Sequence, residues 1–154
     1  RTNNFAVLVS DDTAASLTKC LVYQLWLSCA GMGLNDLDDS KEGIARFLQR
    51  NPQTCLVAVE NQTIIGAILV GSDGRRAYIY HTAVHPNYRR RGIARQLVET
   101  VLTVLDELKI HKVALVVFKR NTEGNRFWEK LGFSVREDLI YRNQARTEMV
   151  RLDT

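Results

Sequence analysis

Apolar positions along the chain recur with two different periods, and the switches between them divide it into elements. Residues 5–9 (FAVLV) are a continuous apolar run that predicts a first strand. Ser10, Asp11 and Asp12 supply N-cap chemistry for a helix over about residues 12–29, in which Leu17, Leu21, Leu25 and Trp26 have helical spacing. Gly31 and Gly33 mark a loop, and a second helix begins at Asp38, Asp39 and Ser40, with Ile44, Phe47 and Leu48 on one face and Asn51-Pro52 at its end. The two aspartates read best as caps of that helix. Strands follow at 55–60 (CLVAVE) and 63–71 (TIIGAILVG), joined by Asn61-Gln62 as a tight hairpin. After a turn at Gly71, Asp73 and Gly74, the run AYIYHTAV (77–84) predicts a further antiparallel strand that stops before Pro86.

From Gly92 the period becomes helical. Ile93, Leu97, Val98, Val101, Leu102, Val104, Leu105 and Leu108 form a wide apolar stripe. KVALVVF (112–118) is uninterrupted, as in a strand covered on both faces. Asn121 to Lys130 reads as a helix with Gly132 at its C′ position, and 133–142 and 146–152 read as two final strands. The order is β-α-α-β-β-β-α-β-α-β-β, an α/β (α+β) arrangement with a mixed sheet and helices around it. No repeat or Pro/Gly-rich linker interrupts the 154 residues, so 1–154 is expected to be a single domain.

Composition narrows the class only a little. With 45% hydrophobic and 25% charged residues, disorder is excluded. A net charge of +4 fits an anionic partner without naming it. Nucleic acid is disfavoured, because no stacking aromatics interleave the basic run. Cys20, Cys29 and Cys55 form no C-x-x-C pair, so neither a disulfide framework nor a metal site is indicated. No apolar run approaches the roughly 18–20 residues a membrane helix needs. With no signal-like block at the start, the expectation is a cytoplasmic protein without a membrane partner.

The chemistry concentrates in Val84-His85-Pro86-Asn87-Tyr88-Arg89-Arg90-Arg91-Gly92-Ile93-Ala94, where a strand runs through a basic loop into the strongest helix. Unpaired N–H groups at a helix start, with the helix dipole behind them, bind phosphate or pyrophosphate. Gly92 and Ala94 keep the backbone approachable, and the arginines add a positive field. A solvated charge run ahead of an ordinary helix is the alternative. The segment is neither a Walker loop nor G-x-G-x-x-G.

Arg89-Arg90-Arg91-Gly92-Ile93-Ala94 resembles the [Q/R]-x-x-G-x-[G/A] acetyl-CoA signature of the GNAT superfamily of N-acetyltransferases. Asn121 to Phe133 resembles the same family's N-x-x-A-x-x-[F/L]-Y-x-K-x-G-F helix and turn. The resemblance implies a mixed, mostly antiparallel twisted sheet of about six or seven strands with about four helices, splayed between the fourth and fifth strands. It implies an enzyme, an acetyl-CoA-dependent N-acyltransferase that acetylates a primary amine by direct attack in a ternary complex. The amine would belong to a small molecule or a protein. The amides from Arg90 to Arg95, including Ile93, would cradle the CoA pyrophosphate. Thr82, Ala83 and Val84 would run along the pantetheine, with the Val84 amide donating to the thioester carbonyl. Asn121 matches a pantetheine contact, and the final strands often pair copies in the family, which leaves room for a homodimer.

Trp128 departs from the family, which usually has Tyr there as the general acid. An indole N–H donates a hydrogen bond but is no useful acid. Trp128 is therefore expected beside the CoA arm or acceptor, or simply in the core. The departure raises a second reading, a CoA-binding module with little or no catalysis. His81, late in the fourth strand, is the candidate general base, against a packed strand histidine as the plain alternative. Strict alternation would put Tyr78 and Tyr80 on one face and His81 and Ala83 on the other. His85 reads as a loop-positioning residue, and Glu60 and Glu123 as weaker bases. The acceptor pocket is expected from residues 24–38 and 134–146, where Asp36, Asp38 and Asp39 could greet a cationic amine, although capping is the reading preferred for Asp38 and Asp39.

Overall fold

A computed structural model describes residues 4–7 and 14–153. β1 (Asn4–Val7), α1 (Ala14–Leu27) and α2 (Lys41–Arg50) lead into β2 (Cys55–Glu60), β3 (Thr63–Ser72) and β4 (Ala77–Val84). A 3-10 turn at Pro86–Tyr88 precedes α3 (Ile93–Glu107), and β5 (Val113–Ala114) and α4 (Thr122–Lys130) complete the order. The expected caps at Ser10, Asp11 and Asp12 lie outside the described residues. Ser40 caps α2, its hydroxyl accepting from Gly43 N–H at 3.0 Å. Asn61 and Gln62 both have positive φ, 48° and 64°, the backbone of a mirror-image hairpin turn.

The strands pair in the order β1-β2-β3-β4-β5, antiparallel except for β4 with β5, which run parallel. Each face of the sheet has its own core. On one side Val22, Leu25, Trp26, Leu34, Ile44 and Leu48 from α1, α2 and their connection pack on Val57, Ala67, Leu69 and Ala83. Leu21, read as part of that stripe, is exposed instead, and Val22 takes the buried place. On the other side Ile93, Leu97, Val98, Val101 and Leu105 of α3 pack on Ile65, Ile68, Val70, Ile79 and Val84. Phe127 of α4 and Leu131 just beyond its end join that second core.

Two expectations fail near the C-terminus. The run 112–118 forms a strand over Val113–Ala114 only, and Val116 and Phe118 are exposed rather than covered. Residues 133–142 and 146–152 form no ladder, so five strands stand among the described residues. The physical reason is the early end of β5, which leaves no edge for a next strand. The chain beyond it ties to the α1–α2 connection instead. Asp36 N–H donates to the Val150 carbonyl at 3.0 Å, Leu152 N–H donates to the Leu34 carbonyl at 2.9 Å, and Asp153 accepts from Gly33 and Leu34 N–H. Among the described residues no helix is long and apolar enough to cross a membrane.

Candidate active site

The site grows from the point where β5 leaves β4. Only Ala77 with Val113 and Tyr78 with Ala114 pair, so the remainder of β4 borders a gap. His85 N–H donates to the Ile65 carbonyl at 2.8 Å. Strand alternation therefore turns the Val84 N–H and carbonyl the other way, toward that gap. The Val84 carbonyl accepts from Arg89 Nε at 3.3 Å and Cys29 Sγ at 3.5 Å. Thr82, on the same side of the strand as Val84, has a buried hydroxyl with no partner among the described residues. Such a group is rare and marks a place where something else can bond.

Gly92 opens α3 with φ 74°, a left-handed conformation that suits glycine, and no side chain caps the helix start. A Cβ at Gly92 would meet nothing within 4 Å, so the chain at the helix start borders open space. A groove of about 300 Å³ lies there, between the loop and α4. Val84, Tyr88, Ile93 and Ala94 line it together with Phe127 and Leu131, and Arg89, Arg90, Arg95 and Lys130 supply positive charge. These residues fit a pyrophosphate with an apolar arm. Arg91 does not line this groove. Its guanidinium is held by both carboxylate oxygens of Glu60, at 2.8 and 3.0 Å, and lies over the Tyr88 ring. Glu60 is thereby engaged and makes a poor base. His85 steadies the turn, with Nδ1 accepting from Asn87 N–H at 3.2 Å.

On the opposite face of β4 the structure corrects the sequence reading. Between the Ile68–Thr82 and Val70–Ile79 pairs β4 carries one more residue than β3, so Tyr80 and His81 together stand opposite Leu69. This bulge brings His81 to the same side as Tyr78, Tyr80 and Ala83. Tyr80 meets Phe47 edge-on and Tyr78 lies 4.6 Å from Tyr80, while His81 meets Trp26 at 4.7 Å. His81 Nε2 lies 2.6 Å from Asp39 Oδ1. The other oxygen of Asp39 accepts from Asn35 N–H at 2.8 Å. Asp39 is therefore a histidine partner and a loop brace, while Ser40 does the capping. The sequence missed this pairing because the two residues are 42 positions apart.

Burial raises the Tyr80 phenol above its ordinary range, and Asp38 and Tyr141 beside it push the same way. A cavity of about 510 Å³ lies close by, where Asp36, Leu37, Asp38, Ser40, Glu42 and Arg46 face Arg146, Thr147 and Met149. Of the two segments expected to form the acceptor pocket, only Asp36, Leu37, Asp38 and Arg146 at their ends line this cavity. Burial pushes the Cys55 thiol up to about 12, which suits a core residue.

Asn121 caps α4, its Oδ1 accepting from Gly124 N–H at 2.9 Å. Trp128 is half-buried between Phe127 and Phe133, with ring centroids at 4.9 and 5.2 Å, and does not line the groove. Phe127, one position earlier, does. Phe127, Lys130 and Tyr88 were missed as site residues, and only their flanking motifs hinted at them.

Comparisons with known proteins agree with this architecture. An acetyltransferase of Yersinia pestis is 32% identical over 119 residues, which are 77% of this chain and 83% of that protein. An acetyltransferase of Pectobacterium atrosepticum is 34% identical over 73% of this chain and 78% of its own. The PaiA N-acetyltransferase of Thermoplasma acidophilum, solved in complex with coenzyme A, superposes with a TM-score of 0.73 at 19% identity, over 89% of this chain and 92% of that one. Residues 21–133 match the acetyltransferase (GNAT) family, and this chain is a member of it.

Proposed function

We propose that this acetyltransferase moves an acetyl group from acetyl-CoA to a primary amine by direct attack in a ternary complex. The observation that carries the reading is the Val84 amide, turned by strand alternation toward the β4–β5 gap beside the α3 helix start. Acetyl-CoA supplies an activated acetyl thioester. The amides from Arg90 to Arg95, with the side chains of Arg89, Arg90, Arg95 and Lys130, hold its pyrophosphate. Thr82, Ala83 and Val84 follow the pantetheine, with Asn121 Nδ2 as a further contact. The Val84 N–H donates to the thioester oxygen as negative charge grows there. His81 takes a proton from the amine directly or through a water. The cavity between Asp38 and Arg146 admits the acceptor.

The test is thiol release from acetyl-CoA against an amine panel: an alanine-initiated peptide, a lysine peptide, a polyamine and an aminoglycoside. Turnover is expected with at least one amine, and His81→Gln should lower kcat on the order of 10²-fold with acetyl-CoA affinity unchanged. Unchanged kcat in that variant would remove His81 as base. Trp128, packed away from the groove, supports a second reading, a CoA-binding module without catalysis. CoA binding with no thiol release across the whole panel would favour it.

A further inference from the structure

We propose that Asp39 is a positioning residue that holds His81 in the Nε2–H tautomer and so leaves Nδ1 as the basic nitrogen. The inference rests on the reading of His81 as the base and adds a residue that neither motif contains. A carboxylate only accepts hydrogen bonds, so the nitrogen 2.6 Å from Asp39 Oδ1 is the one that carries the proton. Three restraints then fix the ring. Asp39 is 6% exposed and cannot swing to solvent. Its second oxygen is tied to Asn35 N–H. The fully buried Trp26 walls one side of the imidazole at 4.7 Å, with the rings inclined at 68°.

Helix capping does not account for Asp39, because Ser40 performs it. A carboxylate this buried is costly unless its oxygens are bonded, and the two bonds it makes are to His81 and to the loop that carries it. The proton step follows. The N–H bond of the protonated amine breaks, nitrogen keeps the electron pair, and the proton goes to Nδ1. The imidazolium that results donates through Nε2–H to the Asp39 carboxylate, which balances its charge.

Asp39→Asn separates this role from bracing. An Asn side chain has one acceptor and one donor group. If its oxygen keeps the Asn35 N–H, its NH2 faces Nε2 and imposes the Nδ1–H tautomer, which removes the basic lone pair. If its oxygen keeps His81, its NH2 abuts the Asn35 N–H. The experiment is long-range proton–nitrogen correlation of the imidazoles in 15N-labelled protein, at a pH where they are neutral. The three histidines are separated by the loss of one pattern in His81→Gln. The wild type should show His81 protonated at Nε2, and Asp39→Asn should move the proton to Nδ1. With the fastest amine of the panel, kcat should fall on the order of 10²-fold while the KM for acetyl-CoA stays unchanged. An Nδ1–H tautomer in the wild type would overturn the inference, and that measurement stands even if Asp39→Asn fails to fold. A folded Asp39→Asn with wild-type kcat, beside an inactive His81→Gln, would overturn it while leaving the base reading intact. An active His81→Gln would instead overturn the base reading itself.

Discussion

At Gly43 an added Cβ would press on the backbone carbonyl oxygens of Leu37 and Asp38, and backbone cannot yield as a flexible side chain can. The first turn of α2 packs under the segment that carries Asp39, so one methyl group at Gly43 should displace the His81 partner. Gly43→Ala is expected to destabilise by about 1–3 kcal/mol in denaturant unfolding. It should lower kcat as well, whereas a substitution at exposed Lys41, in the same turn, should leave both unchanged. At this scale the sequence was partly legible. Gly92, with its unusual backbone, and the arginines around it could be read because their neighbours in sequence are their neighbours in space. Asp39 was legible only as a helix-start aspartate. Its pairing depends on how α2 crosses β4, and no local pattern records that. Arg91 was read as part of the cationic field because its partner, Glu60, lies 31 positions away at the end of β2.

Among the elements, α3 and the loop before it matched expectation most closely, since a wide apolar stripe following a glycine constrains both helix and start. Gly92→Glu is expected to abolish CoA binding in calorimetry while the domain stays folded. It places a carboxylate where an anion would sit and puts a non-glycine residue at φ 74°, a strain of about 1–2 kcal/mol. Gly92→Asn, which tolerates that conformation better, should keep most of the affinity. The β4 bulge was invisible to the sequence reading, because an extra residue inverts side-chain parity without altering composition. AYIYHTAV reads as a regular strand whether or not it is interrupted. The final segments failed for the converse reason. Their apolar residues suit strands, but a strand needs an edge, and β5 ends at Ala114. Val135, Leu139, Ile140 and Tyr141 stand exposed as a result.

For the whole molecule, a mixed sheet with helices around it was predicted from the alternation of periods, and the family from two short motifs in the right elements. The acceptor itself was not readable, and the cavity beside Asp38 that is proposed to admit it joins segments about 100 positions apart in sequence. If the α3 groove holds CoA, binding must appear as stability of the entire fold. CoA at 100 times its Kd should stabilise the native state by about 2.7 kcal/mol. For a chain of this length that is a rise in Tm of roughly 5–10 °C in a thermal melt. No shift at millimolar CoA would remove the groove as the binding place.

The two separate cores have a consequence of another kind. The sheet is a septum: the groove below α3 is built on one side, the His81–Asp39 pair and the neighbouring cavity on the other, and the backbone of β4 is the wall they share. In the proposed reaction, donor and acceptor are held on opposite sides of that wall and meet only at its open edge, where β5 leaves β4 beside the Val84 amide. Substitutions in α1, α2 and their connection, Cys29 at the Val84 carbonyl apart, leave the lining of the groove that would hold the donor untouched. A lineage built on this plan can change the amine it modifies by drift in one chamber, and keep its acetyl source unaltered in the other.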